Sequence, residues 1–480
     1  MDEALKGLEP ELVWNYFDQI RQIPRCSKNE AQAVEYILLT AKKLGLEAKK
    51  DEAENVLIVK PASPGYEDHP SVCLQGHLDM VCEKNADVEF DFEKDPILLR
   101  RKDEFIMAQG TTLGADNGIG CAMMLAAAEA KDLKHPPLEL LFTVDEETGL
   151  TGASKLTGEF LKSRKLINAD SEDLDTITIG CAGGGDTSLN LSLGDKSQVV
   201  GLNGLEIMVK GLKGGHSGVD IHLGRANAIK CLARVLLGIA NQQKVLLVEI
   251  SGGSKRNAIP REAGAKILLE NVESAKEIIK KTESELTDEY EGIEEGIQIA
   301  HTPFEGSEGY SQEATMNLIS FLSVLPHGYL ALNPHIPDLV DTSSNLATVN
   351  MKDREIIIGC NTRSSVGSAI VAVQNQIVAT AQLANAKATI SDAYPSWKPN
   401  MNSELLALAK NTYKEKFGED PKIKAIHAGL ETGIIGEHFP GMDMISIGPD
   451  IEFPHSPDER LNIETVKSFW EYLKLVLEKL

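Results

Sequence analysis

The sequence predicts an α/β protein: a domain built on a mostly parallel sheet packed with helices, interrupted by a large α+β insertion. Three observations carry that expectation. Short apolar runs alternate with helical patterns early in the chain, and several of these runs end in a carboxylate or imidazole, where parallel sheets collect their ligands. From about residue 187 to 393 those strand-end acids stop, and strands with longer helices of a different character take over. The first pattern then resumes, which divides the chain into 1–186, 187–393 and 394–480, the first and last parts forming one discontinuous domain.

Taken in order, Pro10 to Gln22 and Ser27 to Leu44 read as helices, the second with Ser27 and Glu30 as a capping box and Gly45 as its stop. Val34, Ile37, Leu38, Ala41 and Leu44 recur at helical spacing and mark a core face. Asn55–Lys60 and Ser71–Gly76 have strand length, and the second runs directly into His77 and Asp79. Side chains two apart on an extended segment share a face, so one can bind a metal while the other orients it. A plain polar strand end is an equal reading of so short a string. Asp87–Arg101 is a solvated loop or hairpin. Asp116 lies between glycines in GADNG at the opening of an alanine-rich helix, where capping of the helix competes with metal binding as its role.

The run LELLF delivers Asp145, Glu146 and Glu147 together. Three crowded carboxylates repel one another unless a cation sits among them or a solvated turn points them apart. Leu166–Asp170 repeats the strand that ends in an acid. GCAGGGDTS, Gly180 to Ser188, lacks the GK[ST] ending and the following helix of a phosphate loop, and reads as a flexible domain junction. The insertion contains a strand, a glycine-rich turn bearing His216 and a helix, and similar strand and helix pairs recur, which hints at a duplicated unit. After YPSWKPN come a helix from Ser403 to Phe417, the strands KIKAI and DMISIG, then PHSPDE with His455 and a last helix capped by Asn462.

Composition narrows the function. A chain of 480 residues exceeds one ordinary core. Its formal charge of −24 excludes a phosphate-binding surface of clustered Lys and Arg, hence nucleic acid. The seven cysteines are scattered and lack a CxxC, so reduced thiols are expected, with neither a disulfide framework nor a thiolate zinc site. MDEALKGLEPELVW has no basic, apolar leader and no apolar run approaches the roughly 18 residues of a membrane span. The expectation is a cytoplasmic protein without membrane attachment.

Pooling the strand-end groups gives His77, Asp116, Glu147, Asp170 and His455. Two imidazoles and three carboxylates suit two divalent ions, Zn2+ with Co2+ or Mn2+ as alternatives, sharing Asp116 and each holding one His and one further carboxylate. Two such ions polarise a carbonyl and activate water, and Glu146, beside Glu147 but free, is then a general base.

The motifs HLD, GADNG, DEETG, NAD and PHSPDE, in this order and with a large insertion between the last two, resemble the di-zinc exopeptidases that include aminoacylases, glutamate carboxypeptidase and tripeptidase. The resemblance spans nearly the whole chain, and HLDMVCEKN, TTLGADNGIG, GGHSGVDIHLGRANA, NAIPRE and HAGLE look like the branch of that family that cleaves Xaa-His dipeptides. It implies a zinc-exopeptidase-like α/β/α catalytic domain with an inserted lid or dimerisation domain. It also makes His77, Asp116, Glu147, Asp170 and His455 the metal ligands, Asp79 the orienting acid and Glu146 the base. His216 resembles a lid histidine that steadies the oxyanion, with helix capping as its alternative role. Asn257 and Arg363 resemble groups that hold the substrate's backbone and carboxylate, a surface ion pair being the alternative for Arg363. His222 and His427 are left as structural or exposed. The implied activity is hydrolysis of dipeptides with broad specificity, carnosine-like Xaa-His included. The small peptide is the expected partner, and a homodimer is compatible. N-acyl amino-acid amidohydrolase or carboxypeptidase activity on the same metals competes within the enzyme class, and a non-catalytic metal-binding scaffold competes outside it.

Overall fold

A computed structural model gives the structure of the protein and describes residues 1–480 except His335, Asp338 and Asp392; Asp392, near the expected end of the insertion, thus lies outside the described residues. The chain forms two compact units, one of Met1–Gly180, Trp397–Ala425 and Leu430–Leu480, the other of Cys181–Ser396 and Ile426–Gly429.

The first unit is built on an eight-stranded sheet. Its four central strands, Leu138–Thr143, Val72–His77, Lys165–Asn168 and Asp443–Ser446, are parallel neighbours in that order. They are almost wholly buried, as strands covered on both faces must be, and their sequences are mostly apolar. Val56–Lys60 and Glu47–Lys50 extend the sheet antiparallel on one side, and Thr176–Cys181 and Lys422–Ile426 complete the other. Parallel pairing places His77, Thr143, Asn168 and Ser446 at one edge.

Just beneath that edge a buried polar chain crosses the four strands. Ser446 Oγ donates to Asn168 Oδ1 at 2.5 Å, Asn168 Nδ2 to Gln75 Oε1 at 2.7 Å, and Gln75 Nε2 and Thr143 Oγ1 to Glu431 Oε2 at 2.7 Å each. In a low-dielectric interior such a chain is costly to break, because every member would lose a partner it cannot replace with water. A one-residue slip of any strand would break it, so register at the edge is fixed.

Three expectations need correction here. Ser27 and Glu30 do not form a capping box: the helix is Ala31–Leu44, with no side-chain cap bond at Glu30, although Gly45 ends it with φ 70° as expected. Both side chains are recruited by the sheet edge instead, Ser27 Oγ donating to Asp79 Oδ2 at 2.8 Å and Glu30 Oε1 accepting from the Asp145 N–H at 3.0 Å. Gly180 to Ser188 does hold a boundary between the two units, after Gly180, but it is strand rather than flexible loop, Thr176–Cys181 and Gly183–Ser192 both being strands. Its glycines answer to packing within the second unit: a Cβ on Gly184 would stand 2.5 Å from the Tyr394 hydroxyl. Cys73, Cys121, Cys231 and Cys360 are free and buried, but Cys26 and Cys82 form a disulfide with Cα atoms 5.7 Å apart. Spacing could not reveal that pair, 56 residues apart in sequence; an isolated bridge between Cys26 and Met80 runs alongside it.

The second unit is a nine-stranded sheet whose long central pair is Val340–Lys352 and Glu355–Ser364, antiparallel. Helices Ala228–Ala240, Val272–Glu289, Gln312–Val324 and Gly367–Leu383 complete it. Buried residues from helices and strands, among them Leu232, Leu236, Ile267, Leu322 and Ile377, form one cluster. Among the described residues, no helix is long and apolar enough to cross a membrane.

Candidate metal centre

Three of the four parallel strands deliver site groups at their carboxyl ends. Val72–His77 ends in His77, whose ring is 1 % exposed, and Asp79 follows at 0 %. The turn after Leu138–Thr143 carries Asp145 at φ 52° and then Glu146 and Glu147 in a short helical turn, Glu146–Gly149. Asp170 follows Lys165–Asn168. Asp116 opens Ala115–Glu129, where Asp116 and Asn117 depart from helical geometry and their peptide is cis. His455 arrives differently from expectation, on a turn between the antiparallel pair Ile451–Glu452 and Arg460–Asn462 rather than directly off a main-sheet strand, and with φ 60°. Left-handed backbone at a non-glycine costs of order 1 kcal/mol and persists only where its surroundings enforce it.

The five groups converge. Asp116 Oδ1 lies 3.1 Å from His77 Nε2, and its other oxygen, Oδ2, lies 3.0 Å from His455 Nε2. Each imidazole has a second carboxylate of its own: Asp170 Oδ1 is 3.3 Å from His77 Nε2, and Glu147 Oε2 is 3.0 Å from His455 Nε2. Two groups of three donors share Asp116, His77 with Asp116 and Asp170, and His455 with Asp116 and Glu147, while a third joins His77 with Glu146 and Glu147, the donor atoms of each lying within 4.8 Å of one another. Glu147 Oε1 is buried without a hydrogen-bond partner among the described residues. This donor set, hard oxygen with imidazole and no thiolate, fits a divalent ion at each of two positions.

Electrostatics describes the same crowding. Burial would lower the His77 pKa, but Asp170, Asp116 and Asp79 hold it well above the usual imidazole value. His455 is pushed up to about 11 by Asp116 and Glu147. Asp116 is held well below the carboxylate range by His455 and His77 despite its burial. Burial drives Asp170 up to about 7 against the pull of His77. Glu146 is raised well above its ordinary value by burial, with His77 opposing and Asp170, Glu431 and Glu147 adding to the rise.

Asp79 faces the ring from behind, its Oδ1 3.4 Å from His77 Nδ1. It also accepts the N–H of Glu146 at 3.0 Å and of Glu147 at 3.2 Å, so one carboxylate orients both the imidazole and the acidic turn. Burial opposes its ionisation, yet His77 and these donors bring it down to about 2. Glu30, Asp79 and Asp145 form another close buried trio. Their oxygens take protein donors instead: Lys28 and Asp145 N–H on Glu30, and the Thr148 and Thr151 hydroxyls on Asp145.

The remaining sequence candidates lie in the second unit. His216 is half-buried, and its Nδ1 accepts the N–H of Gly218 at 3.2 Å and of Val219 at 3.0 Å. Two donors on Nδ1 place the proton of the neutral ring on Nε2, leaving Nε2–H as an outward donor. Burial, then Arg363, lowers its pKa, which favours that neutral form. Arg363 is 7 % exposed, not a surface ion pair, and donates from Nη1 to the Tyr394 hydroxyl at 2.7 Å and from Nε to Asn361 Oδ1 at 3.1 Å. Gly218 sits between them: a Cβ there would lie 2.2 Å from the His427 carbonyl and 3.2 Å from both Arg363 Cδ and His216 Cε1. Asn257 is exposed, and its carbonyl receives the Ser217 N–H at 2.9 Å. His427 is buried and pairs through Nε2 with Ser343 Oγ at 2.7 Å, while His222 is exposed.

Sequence reasoning passed over Glu459, Glu431 and Arg25. Glu459 stood inside PHSPDE and Glu431 inside HAGLE, but nothing in either string says that the carboxylate points inward.

The sequence profile of peptidase family M20/M25/M40 matches residues 73–479. The cytosol non-specific dipeptidase of Escherichia coli (strain K12) is 40% identical over 479 residues, covering 99% of this chain and 99% of that protein. Among solved structures, the aminoacylhistidine dipeptidase of Vibrio alginolyticus superposes with a TM-score of 0.93 at 39% identity, over 100% of this chain and 98% of that one. The Bacillus cereus aminopeptidase PepT shares the fold, with a TM-score of 0.57 at 17% identity over 98% and 99% of the two chains.

Proposed function

The chain belongs to peptidase family M20/M25/M40, and from that premise we propose that it is a two-metal dipeptidase of broad specificity that accepts Xaa-His. The observation that carries the reading is Asp116, whose two oxygens face two different imidazoles, each backed by its own second carboxylate. His77, Asp116 and Asp170 would hold one divalent ion and His455, Asp116 and Glu147 the other; zinc suits this set, and cobalt or manganese would be accepted. When bound, the ions supply Lewis acidity, polarising the peptide carbonyl and lowering the pKa of water.

The protein's own groups do the rest. Glu146 accepts a proton from the attacking water as the new C–O bond forms, and delivers it to the departing amine nitrogen as the C–N bond breaks. Asp79 keeps the His77 ring and the Glu146 backbone in place. His216 donates Nε2–H to the carbonyl oxygen as its charge develops, and Arg363 and Asn257 recognise the carboxylate and backbone of the peptide. In this reading residues 187–393 act as a lid over a discontinuous catalytic domain. The substrate is a small peptide, and a cytoplasmic location follows the name of the Escherichia coli relative.

The deciding assay compares free dipeptides, Xaa-His among them, with their N-acetylated forms on protein of measured metal content. Hydrolysis confined to the free dipeptides supports the reading. Preference for N-acyl amino acids would replace it with amidohydrolase activity, and no hydrolysis by fully metallated protein would leave a metal-binding scaffold.

Two further results are expected. In the metal-free protein His77 is held well above the ordinary imidazole value and His455 is pushed up to about 11. Loading at pH 7 should therefore expel protons, and affinity should rise with pH. Calorimetry in buffers of different ionisation enthalpy measures the count, and a value near zero would contradict the ligand assignment. His216→Ala should lower kcat by about 10²–10³-fold with metal content unchanged. Mixing it with Glu146→Gln protein should restore nothing if His216 serves its own chain, whereas recovery would show that it acts across a dimer.

A further inference from the structure

Glu459 is 1 % exposed, and its carboxylate gathers four consecutive backbone amides. Oε2 accepts the N–H of Leu113 at 2.7 Å and Gly114 at 2.9 Å, while Oε1 accepts those of Ala115 at 2.8 Å and Asp116 at 3.2 Å. On the same turn the buried Arg25 donates from Nη2 to the Gly114 carbonyl, and from Nη1 to the carbonyls of Leu78 at 2.9 Å and Asp79 at 2.8 Å. The turn has no slack: Gly114 sits at φ +68°, and a Cβ there would stand 2.5 Å from Arg25 Nη2 and 2.7 Å from Met80 Sδ.

We propose that Glu459, with Arg25 on the same turn, is a positioning residue that fixes Asp116 between His77 and His455 before any metal arrives. The proposal rests on Asp116 being the shared ligand. A carboxylate is acceptor-only, with about four lone-pair sites, and here it meets four donors. An amide at 459 would offer one acceptor oxygen and turn its own N–H groups toward main-chain N–H groups. Glu459 also ties two distant segments together. It follows His455 by four residues and adjoins Arg460–Asn462, the strand that pairs antiparallel with Phe105–Ala108 on the chain leading into the Asp116 turn. One side chain thus sets both the Asp116 carboxylate and the base of the His455 turn, and partners of that kind change metal affinity or activity by about 10–100-fold when lost.

The test uses the full chain stripped of metal and titrated with Co2+, read by visible absorption. Glu459→Gln should keep its far-ultraviolet circular dichroism but bind at least one of two Co2+ ions about 10–100-fold more weakly with an altered spectrum. On the Co2+-saturated variant, kcat should fall while KM for a dipeptide stays within about threefold, a split that general loosening of the fold would not give. Two ions bound with unchanged affinity and spectrum would overturn the proposal. Amide exchange at residues 113–116 of the unaltered metal-free chain decides the matter even if the variant fails to fold: slow exchange is expected, and free exchange would show that Glu459 does not hold the turn in advance. Asp116→Asn, run in parallel, separates the two levels of inference. If it still binds two ions, the ligand reading itself falls; if it loses them while Glu459→Gln is unaffected, only the role of Glu459 falls.

Discussion

Glu146→Gln is expected to bind its full metal complement and to hydrolyse dipeptides on the order of 10²–10⁴-fold more slowly. Glutamine has nearly the same size and shape, and the backbone N–H of residue 146 would still bond Asp79 Oδ1, 3.0 Å away in the native protein. What it lacks is a site for the proton of the attacking water. In the metal-free protein burial, with Asp170, Glu431 and Glu147 nearby, keeps this carboxyl well above its ordinary pKa even against His77. A base works only when deprotonated, so native kcat should fall as pH drops through the pKa of Glu146 in the loaded enzyme, and this acid limb should vanish in the variant. Turnover near the native rate in metal-replete Glu146→Gln would remove the residue from the role.

Asp116→Asn should behave differently, losing metal along with activity. Its two oxygens are the only elements common to both donor groups, one 3.1 Å from His77 Nε2 and the other 3.0 Å from His455 Nε2. A neutral amide offers one oxygen and one N–H group, so it cannot ligate on both sides, nor can it offset the repulsion of two dications. Metal binding at least about 100-fold weaker is the expectation, larger than for any residue that acts behind a ligand. Equilibrium dialysis with metal analysis measures it. A variant that retained two ions per chain at native affinity would show that the donors meet for another reason, such as a purely structural network of ion pairs.

Much of this was legible in the amino-acid order. The mostly apolar runs of Val72–His77 and Leu138–Thr143 announce buried strands, and an acid or imidazole at or just after the end of such a run has one edge of a parallel sheet as its natural location. Gly45 and Asn462 read correctly as a helix stop and a helix cap because those signals act within a few residues. Ser27 and Glu30 misled for the complementary reason. Their spacing is that of a local cap, but tertiary partners at Asp79 and Asp145 outbid the helix end, and no local rule weighs a partner fifty or a hundred residues away. The glycines at 183 and 184 misled likewise: flexibility and close packing against Tyr394 leave the same letters in a sequence.

By itself the sequence determined the residue types of the site and the alternation that brings most of them to one sheet edge, because side-chain chemistry and hydrophobic periodicity are local properties of the chain. Only the tertiary structure decided which oxygen of Asp116 faces which imidazole and that Glu459 closes over four main-chain amides. It alone revealed the pairing of Cys26 with Cys82 and the Nε2–H tautomer of His216. Each of these depends on the direction of a side chain relative to segments far off in the chain, and direction is set by packing and register, which appear only once the strands have met.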